Sequence, residues 1–162
     1  FLPANLMKRE FWENTNCKEY FDTYYVQVGV WLEHFNNGNI YVVANKEHVL
    51  CRVPIESWKY NDGKMIYGTA LGNLKVYKIA NKNKKISDDV YLFHENRFIS
   101  RYLKNVIASK AKGLEVNNSI LETIDFIFKD NKIKHFYIKY FLYIPKILAK
   151  VIYKFNKLLK GK

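Results

Sequence analysis

The spacing of apolar residues predicts helices along most of the chain. Apolar side chains recur every three or four positions, which is the pattern of one buried helical face. This spacing predicts helices over residues 8–15, 20–35, 65–79, 87–112 and 119–130. Within the second of these segments Val26, Val28 and Val30 also alternate, so a strand remains a second interpretation there.

Two shorter runs have the character of strands. Residues 40–43 and 48–53 are rich in β-branched and apolar side chains, and a polar loop of four residues separates them. Pro54 ends the second run, and the polar stretch from there to Gly63 is predicted to be a loop. The predicted fold class is therefore α+β, mostly helical with a few short strands.

Local signals predict several helix ends. Ser87 has the position of an N-cap, and two acids follow it in the first turn, where the helix dipole favours them. Gly113 is predicted to end the same helix. Ser119 and Glu122 have the spacing of a capping box, which predicts the start of the next helix at Ser119.

The C-terminal segment has the sharpest amphipathic pattern. Between Ile144 and Leu159 the apolar residues fall at steps of three and four, and lysines occupy the other side. Pro145 either opens this helix or kinks a longer one that arrives from Ile133. The pattern predicts a basic amphipathic helix.

The net charge of the chain is concentrated in the same segment. The 162 residues carry 27 Lys and Arg against 15 Asp and Glu, a formal net charge of +12. No Asp or Glu follows Asp130 and the last 32 residues hold nine lysines, so residues 1–130 have a net charge of only +3. A partner that recognises positive charge is therefore expected at the C-terminus.

Three partners suit a basic amphipathic helix: an anionic membrane, a nucleic acid, or the core of the protein itself. The absence of acids over the tail favours the membrane, because an ordinary surface helix mixes charges of both signs. Nucleic acid is less favoured, since only four of the basic residues are Arg and none lies in the tail. The residues predicted to contact the membrane are Phe141, Tyr143, Lys146, Lys150, Lys154 and Lys157.

Metal-binding and redox motifs are missing from the sequence. Cys17 and Cys51 are isolated, and no secretory signal or long apolar run is present, so a reduced cytoplasmic setting is expected. The four histidines are far apart, and no metal site is predicted. Asp88 and Asp89 either stabilise a helix N-terminus or hold a divalent ion.

The N-terminal third resembles a known family of enzymes. Residues 3–12 (PANLMKREFW), 22–38 (DTYYVQVGVWLEHFNNG), 41–43 and 49–52 resemble the second half of the catalytic domain of family-two-type bacterial glycosyltransferases with the GT-A fold. These enzymes build surface polysaccharides such as capsule. The resemblance implies transfer of a sugar from a nucleotide-sugar donor, with inversion, to a lipid-linked or polysaccharide acceptor.

The resemblance also assigns residue roles. The family places its acceptor-side base eleven positions before a Gly, which here is Gln27 before Gly38, and an amide cannot act as a general base at neutral pH. Either Asp22 takes that role, or Gln27 only positions the acceptor, or the protein is not active in this way. Arg52 either holds diphosphate oxygens or pairs with a carboxylate at a strand end. The substrate contacts implied by the resemblance are Thr23, Trp31, Arg52, Ser57 and Trp58.

The resemblance implies a division of the chain and a set of partners. Residues 1–63 would be the acceptor-side part of the enzyme, 64–130 a helical region, and 131–162 a membrane-associating tail at the inner face of the plasma membrane. The nucleotide-binding half and its Mg²⁺ or Mn²⁺ would lie in a missing N-terminal part, so the isolated chain is expected to be inactive and to hold no cofactor. The expected partners are that missing half, the acceptor, the anionic membrane and possible further copies of the chain. The alternative function is a non-enzymatic basic helical module that binds anionic membrane or nucleic acid.

Overall fold

The computed structural model describes residues 9–21, 23, 25–34 and 63–160, and within these ranges every regular element is helical. The elements are α1 (Arg9–Glu13), a 3-10 turn (Cys17–Tyr20), α2 (Val26–Glu33), α3 (Gly63–Lys82), α4 (Asp88–Ala111), α5 (Asn118–Phe128), α6 (Lys132–Leu142) and α7 (Lys146–Lys160). The longest helices, α3 and α4, pack along each other, and α7 lies against α4.

The predicted α+β, GT-A-like fold class is wrong for the described part of the chain, which is helical throughout. The two runs predicted as strands, 40–43 and 48–53, lie outside the described residues. At Val26, Val28 and Val30, where a strand was the second interpretation, α2 forms instead. The helical conformation is favoured because it buries Val30 and Leu32 against the body of the protein.

One core joins helices α3 to α6. All four helices contribute buried side chains, and Leu114 of the α4–α5 connection joins them: Tyr67, Leu71 and Leu74 from α3, Tyr91, Phe98, Tyr102 and Val106 from α4, Ile124, Ile127 and Phe128 from α5, and Ile138 and Leu142 from α6. The Tyr102 hydroxyl donates to the carbonyl oxygen of Ile138 at 2.5 Å, so a buried polar group also ties α4 to α6. Residues 132–142 therefore pack into the same core as residues 67–128.

Helix α2 is shorter than its sequence pattern predicts. The predicted helix begins at Tyr20, whereas α2 begins at Val26 after a 3-10 turn. The Thr23 hydroxyl explains the interruption, because it donates to the Tyr20 carbonyl oxygen at 2.7 Å and accepts from the Tyr25 amide at 3.2 Å. Gly29 then lets the Tyr20 ring approach, since a Cβ on Gly29 would lie 2.4 Å from that ring.

The other helix ends follow local signals in most cases. Ser87 caps α4 as predicted, accepting from the Val90 amide, and Gly113 follows the helix with a φ of 101°, which favours glycine. Pro145 comes directly before α7 and opens a separate helix. The predicted capping box is wrong: Asn117 caps α5 by accepting from the Ile120 amide at 3.0 Å.

Two polar clusters fasten α6 to the body. The buried Glu95 carboxylate of α4 accepts from the Tyr91 hydroxyl and forms an ion pair with Lys134. On the outer side of α6, Asp125 accepts from His135 at 2.6 Å and from Lys139 at 2.7 Å. These hydrogen bonds hold the pKa of the Asp125 carboxyl below its usual value, and the bond from Lys139 contributes more than the bond from His135.

Candidate functional site

Helix α7 contacts the body along a narrow strip. Ala149 is fully buried, and Ile152 and Tyr153 are half-buried, while most other side chains of the helix are exposed. A small residue at the centre of the strip lets the two helix backbones approach closely. Only one side of α7 is therefore covered by α4.

The apolar face of α7 is left uncovered by the described residues. Its six side chains are 50–80% exposed, and they form what we call the α7 apolar stripe: Ile147, Leu148, Val151, Phe155, Leu158 and Leu159. At about 100° per residue, the stripe spans roughly 120° of the helix circumference. An apolar stripe of this width normally faces the core of a protein. Here it faces away from the core that the structure describes.

Four lysines occupy the next arc of the helix. Lys146, Lys150, Lys154 and Lys157 are exposed, and at about 100° per residue they fall within an arc of roughly 80° that borders the stripe at Lys154. None of these lysines has a carboxylate partner among the described residues. Around α7 the order is thus the apolar stripe, the strip in contact with α4, and the lysine arc.

Helix α6 and the turn that follows it carry exposed aromatic side chains. Phe136 and Tyr140 are stacked with ring centroids 6.0 Å apart, and both are more than 60% exposed. Tyr143, in the turn before α7, is exposed to the same degree. Phe141, which the sequence also predicts as a membrane contact, is half-buried against the core and stacks edge-on with Tyr137.

A groove runs between α4 and α7. It has a volume of about 620 Å³ and is lined by apolar and basic side chains together, among them Leu103, Lys104 and Ile107 of α4 and Tyr153 and Lys157 of α7. Lys104 thereby adds a further positive charge from the body to the side of the lysine arc.

The residues implied by the glycosyltransferase resemblance are only partly described. Gln27 lies half-buried in the first turn of α2, and Trp31 lies one turn further along the same helix. The Thr23 hydroxyl is buried and occupied by the backbone contacts given above. Asp22, Arg52, Ser57 and Trp58 lie outside the described residues.

A small polar cavity of about 220 Å³ lies near these residues, where α1 and α2 approach the end of α3. Its carboxylates are already engaged: Glu33 accepts from the Tyr20 hydroxyl at 2.5 Å and pairs with Lys85 at 3.6 Å. The Asn83 amide reaches both Glu19 and Glu33 at 3.2 Å. Both carboxylates of this cavity are therefore already paired with neighbouring side chains of the protein.

No group of side chains in the described ranges fits a metal ion. Three or more His, Cys, Asp or Glu residues do not converge anywhere among them. Asp88 accepts from the Asn81 amide at 2.8 Å and belongs to the first turn of α4, which is the first of the two roles considered for it.

Comparison of the chain with protein-family models, curated proteins and solved structures finds no match. Among the described helices, none combines the length and the apolar character needed to cross a bilayer.

Proposed function

We propose that this protein associates peripherally with anionic membrane surfaces through α7. The observation that carries the proposal is the α7 apolar stripe, whose six side chains remain exposed although the helix is docked on the body. A helix of this kind lies in the plane of the interface and inserts its apolar face at the boundary of headgroups and acyl chains.

The lysine arc supports an anionic surface over a neutral one. Each lysine near such a surface contributes about 1 kcal/mol, and the effect falls off within the Debye length. Lys154 and Lys150 lie nearest to the stripe, where their ammonium groups can reach lipid phosphates while the stripe is inserted. The exposed rings of Phe136, Tyr140 and Tyr143 suit the same interface. The inner leaflet of the plasma membrane is the anionic surface that we propose.

The proposal is tested by co-sedimentation with vesicles. We expect the protein to bind vesicles of phosphatidylglycerol and phosphatidylcholine at least tenfold more tightly than vesicles of phosphatidylcholine alone. The variant Lys150→Gln/Lys154→Gln should bind these vesicles about 30-fold more weakly, because it removes about 2 kcal/mol of attraction to the surface.

The matched control is Lys18→Gln/Lys84→Gln, which removes the same charge from two exposed lysines outside α7. This control should bind within about twofold of the unmodified protein. Equal binding to both kinds of vesicle, or equal loss in the two lysine variants, would contradict the proposal.

Glycosyltransferase activity, which the N-terminal resemblance implies, stays a separate prediction. It is tested in the longer enzyme that the resemblance implies, by measuring sugar transfer after Asp22→Asn and after Gln27→Ala. If Asp22 is the base, its substitution should reduce turnover more than the substitution of Gln27. The reverse order would remove Asp22 as the candidate base.

A further inference from the structure

A second basic surface is the groove between α3 and α4, to whose lining α7 contributes no residue. The groove has a volume of about 420 Å³, and its lining includes Arg97 and Arg101 of α4. The two arginines are four residues apart, so they lie one above the other on the same side of the helix. Asn73 of α3 and Asn105 of α4 contribute amide groups to the same groove.

The arginine pair has no carboxylate partner among the residues that the structure describes. Both side chains are exposed. The lining of the groove includes no acidic side chain in the described part of the chain. Two like charges at this spacing destabilise a helix, so the pair weakens α4 unless an anion lies between the two guanidinium groups.

The choice of arginine is itself informative in this chain. Lysines outnumber arginines 23 to four, yet both basic residues of the groove are arginines. A guanidinium group offers a rigid fork of N–H donors that matches two oxygens of a phosphate, which an ammonium group cannot do. Burial lowers the pKa of His94, and the positive charge of Arg97 lowers it further, so the electrostatic potential beside Arg97 is positive.

Aromatic rings and amide groups also line the groove beside the arginines. The rings of Tyr77 on α3 and His94 on α4 are stacked with centroids 3.6 Å apart, which holds the two helices together beside the arginines. The two asparagine side chains can donate to oxygens that the arginines leave free. The groove thus combines fixed donors, positive charge and open space.

We propose that the α3–α4 groove binds a phosphate-bearing molecule, with Arg97 and Arg101 holding the phosphate oxygens and Asn73 and Asn105 donating further hydrogen bonds. This site is independent of the membrane surface proposed for α7. The phosphate can belong to a free anion or to a lipid headgroup, and the two sources are separated by experiment.

The first experiment measures binding of inorganic pyrophosphate by isothermal titration calorimetry at physiological salt. The variant Arg97→Gln/Arg101→Gln should weaken binding at least tenfold, whereas Arg97→Lys/Arg101→Lys should give an intermediate loss because it keeps the charge and removes the forks. The charge-matched control is Lys150→Gln/Lys154→Gln, which should bind pyrophosphate within twofold of the unmodified protein. The glutamine variant should also unfold at the same or a slightly higher temperature, because a repulsion has been removed.

The second experiment repeats the comparison with phosphatidic acid vesicles. A tenfold loss for the arginine variant on vesicles alone assigns the site to a lipid headgroup, and a loss with pyrophosphate alone assigns it to a soluble phosphate. The proposal is overturned if the arginine variant binds both pyrophosphate and phosphatidic acid vesicles within about twofold of the unmodified protein. That result, together with a loss of vesicle binding in the lysine variant, would overturn the proposal while leaving the role of α7 intact.

Discussion

Replacing Val151, Phe155 and Leu158 by serine is expected to reduce binding to anionic vesicles by at least a hundredfold. All three side chains are at least 60% exposed, so their apolar area is available to the bilayer. Full burial of such side chains yields about 1.5–3 kcal/mol each, and an interfacial position that realises about 1 kcal/mol each gives about 3 kcal/mol in total. Since 1.4 kcal/mol corresponds to about a tenfold change in affinity, the loss exceeds a hundredfold.

The chain offers a control with the same three residue types. Val90, Leu92 and Phe93 are exposed in the first turns of α4 and are 42%, 44% and 61% accessible. Their substitution by serine should leave vesicle binding within about twofold. Both triple variants should keep the unfolding temperature of the unmodified protein, because none of these side chains belongs to the core.

A second copy of the chain is the other candidate occupant of the stripe, and the molar mass in solution tests for it. If a second copy of the chain covers it, the unmodified protein will be a dimer, the α7 variant will be a monomer, and vesicle binding will be the same for both. That result would contradict the membrane proposal and assign the stripe to self-association. A monomer that loses vesicle binding on substitution supports the proposal.

The amphipathic character of α7 could be predicted from the sequence, but its exposure could not. Spacing alone identifies the apolar and basic sides of the helix, and it agrees with α7 over Lys146–Lys160. Which part of the apolar side docks is decided by shape: Ala149 and its neighbours fit against α4, and the stripe is left outside. The sequence also placed Phe141 with the membrane contacts, because an aromatic run does not reveal which of its members enter the core.

The helix predictions succeeded where local signals decide the structure and failed where tertiary contacts decide it. Ser87 and Gly113 act through their own backbone and side chain, so the limits of α4 followed from the sequence. The start of α2 depends on Thr23 and on the approach of Tyr20 to Gly29, and the spacing of apolar residues predicts neither contact. The groove at Arg97 and Arg101 was missed for the same reason: their spacing is visible in the sequence, but the wall supplied by α3 is not.

The buried ion pair between Glu95 and Lys134 is expected to give the second large effect. The Glu95 side chain is only 7% exposed, and its carboxylate is held by Lys134 of α6 and by the Tyr91 hydroxyl. Lys134→Ala leaves a buried carboxylate with one neutral donor, which typically costs about 3 kcal/mol. Because Lys134 itself is 28% exposed and water can replace part of its contact, we expect a loss of about 2 kcal/mol in the free energy of unfolding.

Denaturant unfolding followed by circular dichroism measures this loss, and two further variants show its origin. Lys139→Ala removes an ion pair to Asp125, which is 50% exposed, so it should cost less than about 1 kcal/mol. Adding Glu95→Gln to Lys134→Ala should restore at least half of the lost stability, because the buried charge is then gone. Equal effects of the two lysine substitutions, or a double variant less stable than Lys134→Ala, would show that Lys134 stabilises the protein through packing of its aliphatic chain. An effect of the predicted size means that the buried charge pair adds substantially to the core contacts and the Tyr102 hydroxyl that hold α6 on α4, the helix against which α7 packs.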